Sequence, residues 1–378
     1  MATIVEIRDR IEPLMAEWEH LAQHTKAAPF LWPGWIRGWW RAFGTGRLQI
    51  LTAHENGRLV GILPLRRFRG ALSSTSGWNT PLFGFLAANE TAVKRLSDEL
   101  VLQRPRRIDL SFLSPIDPGV PLVRAAAEAA GYRVHEESIP AAPYVAIDGD
   151  WDAYESGLRR KFRSELRRRR RRLEEKGRLT LEVSDGKERL DQLLEEGFCI
   201  EGLGWKDAYG TSINSGPATR RFYTEVAHWT SECGWLRLAF LRLDGRALAF
   251  DYCLEYNRTH YLLKTGYDPA YAKSGPGMIL RYLMLARAFS EGIATYDFLG
   301  VGSDYGWKQE WTNTQQERLF LRMFASTPPG FLDRAVFVGG RSAFEGAKSV
   351  ARSPFLGERG HRFLKRAHAM VHGKVTRR

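Results

Sequence analysis

Three cysteines in 378 residues, Cys199, Cys233 and Cys253, are too few and too scattered for a disulfide scaffold or a zinc ribbon, and none stands in C-x-x-C spacing. That scarcity fits a reducing, cytoplasmic setting. No apolar run approaches the roughly eighteen residues of a membrane span. The N-terminal stretch MATIVEIRDRIEPLMAEWEHL is charged and amphipathic where a secretory leader would be apolar. None of the nine histidines lies at metal-ligand spacing from another ligand, so no metal is expected. No G-x-S-x-G occurs, and no Cys-His or Ser-His arrangement points to a covalent acyl-enzyme.

What is present is a long, mixed chain of ordinary apolar content, 44% hydrophobic, with room for two domains. Its formal charge of +13 is concentrated in two places. Arg159 to Arg178, RRKFRSELRRRRRRLEEKGR, holds 12 basic and 3 acidic residues, and Arg334 to Arg378 holds 11 basic and 2 acidic. The rest of the chain is slightly acidic, so a charge-reading partner would meet these two segments. The first should be helical, with no glycine or proline before Gly177. It would pack through Phe162, Leu166 and Leu173 while its arginines face solvent, an anionic membrane, an acidic acceptor or RNA. The second mixes apolar and basic residues at helical spacing, which suits an anionic membrane surface or packing back on the body.

Two stretches repeat one another. LTAHENGRLVGILPLRR (Leu51–Arg67) and AFLRLDGRALAFDYCLEY (Ala239–Tyr256) each read as strand, tight turn, strand, with Asn-Gly and Asp-Gly as the turn dipeptides. After each come a loop, an amphipathic helix and another strand: Thr91–Gln103 and Arg107–Leu113 in the first copy, Gly277–Gly292 and Thr295–Gly300 in the second. The second copy adds a strand, THYLLKTGY, completing a meander. The expectation is an α+β fold of two tandem units, residues 1–145 and 146–330, joined near Pro140–Trp151. Each unit would be a mixed, mostly antiparallel sheet with flanking helices, and a basic helical tail would follow over 331–378.

The added strand runs into YDPAYAKSGPGMIL, where two glycines and a proline stand at a helix start. A helix N-terminus leaves backbone N–H groups unpaired and carries partial positive charge, and glycines there let a phosphate approach. Pro276 suits the first helical position and Ser274 a cap, leaving the N–H groups of Gly275, Gly277 and Met278 for a ligand.

This order of meander, glycine-rich turn, helix and strand resembles the acyl-CoA-binding core of the GNAT acyltransferases. Their pyrophosphate loop, [Arg/Gln]-x-x-Gly-x-Gly/Ala, would here be Ala272-Lys273-Ser274-Gly275-Pro276-Gly277, with Ala272 at the Arg/Gln position and Lys273 beside it. The ordered set APFLWPGWIRGWWRAFG, the arginine run, EGLGWKDAYGTSI, YAKSGPGMIL and YDFLG…YGWKQEWT resembles the CelD/BcsL-type acetyltransferases of cellulose and exopolysaccharide loci. That branch is similar in turn to the Fem-type aminoacyltransferases of peptidoglycan bridges, which also pair two GNAT units. The resemblance implies acyl-CoA, with acetyl-CoA the expected donor. It also implies a small-molecule, sugar or polysaccharide-precursor acceptor bearing an amine or hydroxyl.

Acyl transfer from a thioester to an amine needs a group to take a proton, a donor to polarise the carbonyl and an acid for the departing thiolate. Glu201, with Trp205 and Lys206 in a glycine-rich loop, is one candidate base; the loop reads either as a surface loop with Trp205 packed over a core edge or, as the family pattern implies, as an acceptor wall. Asp297, on the strand TYDFLG, is a second, read either as facing a cleft or as a paired strand-end acid. Asp251, mid-strand in LAFDYCLEY, ranks third and faces the cleft or is buried. Tyr305 is the candidate acid, and Lys308 either holds a phosphate or carboxylate of the substrate or lies solvated on the surface. Two rivals stand beside this reading: an aminoacyl-tRNA-dependent transferase, and a non-catalytic GNAT pair that docks on membrane or RNA.

Overall fold

The computed structural model describes residues 3–204, 212–300 and 306–351, without the side chains of 140–142 and 341–351. The first half runs β1 (Ile4–Arg8), α1 (Met15–His24), α2 (Pro33–Phe43), β2 (Arg47–Glu55), β3 (Arg58–Phe68), β4 (Ala71–Ser74), β5 (Leu86–Ala87), α3 (Glu90–Leu102), β6 (Arg107–Leu113), α4 (Gly119–Ala129) and β7 (Arg133–Ala146). The second runs α5 (Trp151–Gly157), α6 (Arg160–Glu174), β8 (Leu179–Ser184), α7 (Leu190–Gly202), α8 (Pro217–Glu232), β9 (Leu236–Leu243), β10 (Arg246–Tyr256), β11 (Thr259–Tyr267), α9 (Pro276–Ser290), β12 (Thr295–Asp297), β13 (Gln315–Phe324) and α10 (Pro328–Ala351).

Both expected hairpins form, β2–β3 and β9–β10, each antiparallel with one register shift, at Ala53/His54 and at Ala247/Ala249. Their turns place two residues at positive φ, Asn56 and Gly57 at 53° and 74°, Asp244 and Gly245 at 48° and 84°. Only such a turn twists in the sense of the strands it joins, which is why Asn-Gly and Asp-Gly mark it. The strand expected at Arg107–Leu113 is β6, and THYLLKTGY is β11. Thr91–Gln103 and Gly277–Gly292 are α3 and α9, shifted by a residue or two because Asn89 caps α3 and Pro276 opens α9.

Among the described residues thirteen strands form one sheet, in the order β1-β2-β3-β4-β6-β13-β7-β12-β11-β10-β9-β8, with β5 on β3. The halves are stitched rather than strung. β7 pairs with β13 along Arg133–Pro143 and with β12 along Tyr144–Ala146. β13, the last strand in sequence, lies between β6 and β7. Pro140, where the join was expected to begin, is thus a residue of a continuous strand.

Three apolar clusters follow. One gathers α1, α2, α7 and α8 between the inner faces of both halves, with Trp18, Trp35, Phe222 and Phe250 fully enclosed. A second lies under α3 and α4. The third lies under α6 and α9, where Phe162, Leu166 and Leu173 bury the seam of the arginine-rich helix as their spacing required. The inner helices and the outer pair α6 and α9 therefore cover opposite faces of the second half.

Candidate active site

β11 and β12 run parallel but pair only across Thr259–Tyr261 and Thr295–Asp297. Beyond them β12 ends, whereas β11 continues to Tyr267. A register shift between Tyr252 and Cys253 gives β11 one extra residue at Leu263, against β10. Such a bulge turns backbone groups out of the ladder. The sheet therefore opens at the end of β12, and the opening leads along β11 to the start of α9.

At that start Asp268 folds the chain into a short 3-10 turn, accepting the Ala270 N–H (2.9 Å) and an Arg246 guanidinium bond (2.7 Å). Gly275 follows at φ 55°, ψ 52°, and Pro276 takes the first helical position. The left-handed conformation is what the first glycine supplies. Two expectations change here. Gly275 itself, and not Ser274, occupies the N-cap position, and no side chain caps it. The N–H groups of Gly275 and Met278 are already turned into the chain, toward Ala272 O and Gly275 O (3.0 Å each). Gly277, partly exposed in the first turn, is then the amide of that set suited to a ligand. Lys273 is exposed beside it.

Arg169 also belongs here, a placement that no motif or spacing marks. α6 packs along α9, and a Cβ on Gly275 would lie 2.2 Å from Arg169 Nη1. A guanidinium from the arginine run therefore rests on the glycine of the loop whose own Arg/Gln position is Ala272. Arg169 Nε donates to Glu165 Oε1 (2.7 Å), which holds the side chain along the helix. The rest of the run is laced on the surface: Arg168 to Glu165, Arg170 to Glu174 (2.8 Å), Arg171 to Glu175 (3.6 Å). Helical periodicity assigns Phe162, Leu166 and Leu173 inward, but which arginine meets the loop depends on how α6 crosses α9.

Asp297 ends β12 at the closed end of the opening, buried, with Oδ1 accepting the Leu299 N–H (2.8 Å). Burial pushes its carboxyl up to about 6, against the opposing pull of that N–H and of Arg318 and Lys308. Its pairing partner Tyr261 packs edge-on against Phe30 of the first half, and its phenol is pushed up to about 12, chiefly by burial and then by the Asp297 charge. Lys308 is buried, not solvated: Nζ donates to the carbonyls of Phe298 (3.0 Å) and Leu299. It ties off the end of β12.

Glu201 lies in the last turn of α7 rather than in a loop, and it is buried. Its Oε2 accepts the Ile213 N–H (2.7 Å). A Cβ on Gly266 would sit 2.4 Å from the Glu201 Cα, so this glycine of β11 lets the helix end lie on the strand. Tyr223 of α8 is close enough that the Glu201 charge adds to the burial that raises its phenol. Its hydroxyl donates to Asn79 Oδ1 (3.3 Å), and Lys264 stands 5.1 Å over its ring. A loop of the first half also reaches this region: Asn79 accepts from Tyr223 and Pro81 O from Arg318 Nε (3.2 Å), while Thr80 Oγ1 accepts from Trp35 Nε1 of the same half (3.1 Å). Trp78 in the same loop stays partly exposed. Trp205, Lys206 and Tyr305 lie outside the described residues.

Asp251 is on the α9 side of the sheet, both oxygens accepting from the Arg281 guanidinium, with Nη2 of Arg281 2.8 Å from Oδ1. Arg281 also donates to Tyr296 Oη (3.1 Å) and Thr265 Oγ1 (3.0 Å). It thereby bridges β10, β11 and β12 where they part. Asp251 is thus the counter-ion of a fully buried arginine, on the face opposite Tyr261. Among the described residues no group of three or more His, Cys, Asp or Glu is placed to hold a metal ion.

Residues 160–309 match the sequence model of a family described as an acetyltransferase (GNAT) domain, a span from α6 past Lys308 that includes Arg169, Gly275 and Asp297. No curated protein matches the chain. Among solved structures the chain is similar to FemX, at 12% identity and a TM-score of 0.57, covering 85% of this chain and 97% of that one. A C-terminal DUF2156 domain from Agrobacterium fabrum is similar at 13% and 0.53, covering 87% and 97%. A protein of unknown function from Bacteroides thetaiotaomicron is similar at 13% and 0.52, covering 85% and 100%. Residues 160–309 thus resemble a GNAT acetyltransferase domain, and they lie in a mixed sheet with flanking helices of GNAT-like fold.

Proposed function

We propose that this protein transfers an acyl group from acyl-CoA, acetyl-CoA foremost, to an amine or hydroxyl of a small-molecule, sugar or polysaccharide-precursor acceptor. The observation that carries the reading is the opening between β11 and β12, with a glycine-capped helix start and Arg169 at one end and Asp297 at the other. From Tyr261 to Tyr267 is six residues of strand, roughly 20 Å at about 3.3 Å each. An extended pantetheine arm matches that span. The ordered CelD/BcsL-like motifs support the sugar or polysaccharide-precursor side of the assignment, in the cytoplasm. Residues 146–330 would hold the donor, and 1–145 would complete the acceptor side.

The donor loop fits a diphosphate. The positive end of α9, the Gly277 amide and the Arg169 guanidinium converge there, with Lys273, Ser274, Gly275 and Met278 shaping the loop. Bound acyl-CoA supplies an activated thioester. Asp297 takes the proton of the acceptor; a carboxyl near 6 is ionised at neutral pH yet basic enough to serve. Lys308 fixes the carbonyls that follow Asp297 and so holds the end of β12. Glu201 anchors the acceptor wall through Ile213, and Trp205 and Lys206 extend that wall. Tyr305 protonates the leaving thiolate. Asp251, through Arg281, holds α9 against the parting strands. The outer arginines of α6 are one surface for a peripheral anionic contact.

Calorimetry with acetyl-CoA tests the donor assignment. A Cβ on Gly277 meets the Tyr267 side chain no nearer than 3.5 Å, so a side chain fits there without unfolding the helix. Gly277→Asp should keep its melting temperature and lose acetyl-CoA binding, because a carboxylate replaces open space beside the diphosphate. Unchanged affinity would reduce the loop to a helix start. Binding of aminoacyl-tRNA without binding of acyl-CoA would move the donor class.

A further inference from the structure

α10 packs inward through Gly330, Asp333 and Phe337. Asp333 forms ion pairs with Arg106 (3.2 Å) and Arg107 (3.7 Å). The Phe337 ring meets His135 (5.0 Å) and Phe324 (5.6 Å), and the Arg322 guanidinium lies 4.5 Å over it. The backbone at Gly330 presses so closely on Ala325 that a Cβ would fall 2.1 Å from its carbonyl oxygen. The opposite side is apolar and open. Phe331 is 53% exposed, Leu332 64%, Val336 68% and Val338 47%. At about 100° per residue these four, with Ala335 and Gly339, fill one arc facing away from Asp333 and Phe337, and Arg334 lies at its edge. A helix covering a core shows the reverse arrangement. A contiguous apolar patch of this kind marks a contact surface.

Charge selects the partner. The 27 residues after α10 hold eight basic residues and one acidic. The apolar arc of α10 followed by this basic segment suits the plane of an anionic bilayer. A second copy of this chain would instead bring two strongly basic segments together. We propose that the outer face of α10 docks on an anionic phospholipid surface. Phe331, Leu332, Val336 and Val338 enter the headgroup–acyl boundary, and Arg334 at the edge of the patch meets the headgroups.

The test is co-sedimentation of the full chain with vesicles of phosphatidylcholine alone or mixed equally with phosphatidylglycerol, compared with the variant Phe331→Ser/Leu332→Ser/Val336→Ser. The wild type should pellet with the mixed vesicles and much less with the neutral ones. The triple variant should partition at least about tenfold more weakly, with an unchanged melting temperature, since these side chains touch little of the body. Equal pelleting of variant and wild type would overturn the proposal, as would a wild type that ignores anionic vesicles because its own tail covers α10. Sedimentation velocity without lipid adds a third decisive outcome: a dimer that the triple variant dissociates would give the face to a second copy.

Discussion

Replacing Asp297 by asparagine should make the protein more stable and less active at once. The carboxyl moves from 3.8 to about 6 mainly because burial penalises its charge. The folded protein therefore holds this proton more tightly than the unfolded chain does. The resulting stability is complete below 3.8 and is lost as pH rises through about 6. Each pH unit corresponds to about 1.4 kcal/mol, so ionised Asp297 costs the fold up to about 3 kcal/mol at pH 8. Asparagine is isosteric, can accept the Leu299 N–H and never ionises. Urea denaturation at pH 8 should show the variant more stable by up to about 3 kcal/mol, and the gap should shrink as pH falls toward 4. Turnover should fall by about 10² to 10⁴-fold, the typical worth of a general base. In the wild type, kcat/KM should rise with pH through about 6. An Asp297→Asn protein that keeps its turnover, or that is less stable than wild type at pH 8, would refute the assignment.

Arg169→Gln should weaken acetyl-CoA binding by about 10- to 100-fold, the range of one hydrogen bond to a charged group. Arg171→Gln, on the solvent side of the same helix, should leave calorimetric affinity unchanged. Arg281→Met should destabilise the fold by about 3–5 kcal/mol in chemical denaturation, because it strands the buried Asp251 carboxylate. Asp251→Leu in the same chain should restore most of that loss.

Much of the scaffold was legible in the sequence because its causes are local. Asn56-Gly57 and Asp244-Gly245 impose their turns through φ, and Pro276 is pre-set for the first position of its helix. Phe162, Leu166 and Leu173 mark the buried side of α6 through helical period. The glycine-rich stretch before α9 announced a close backbone approach, and Gly275 adopts the left-handed conformation that such an approach uses.

Other features required the packed chain. β13 enters the sheet between β6 and β7 because the gap there is completed by a strand more than 160 residues away from β7 in sequence, a pairing that no local pattern encodes. Asp251 and Asp297 look alike in sequence, each an acid among apolar strand residues. Which one lies against an arginine and which ends a parting strand is decided by side-chain alternation against helices on opposite faces. Lys308 reads as a substrate-binding or a solvated lysine until the end of β12 supplies its carbonyls. Among the six arginines from Arg167 to Arg172, the helical repeat offers each side of α6 a candidate, and only the crossing of α6 over α9 sets Arg169 on Gly275. Composition, turn chemistry and periodicity act within a few residues and so are written in the sequence. Charge neutralisation, burial and the convergence of groups on the opening arise between distant segments and exist only once those segments pack.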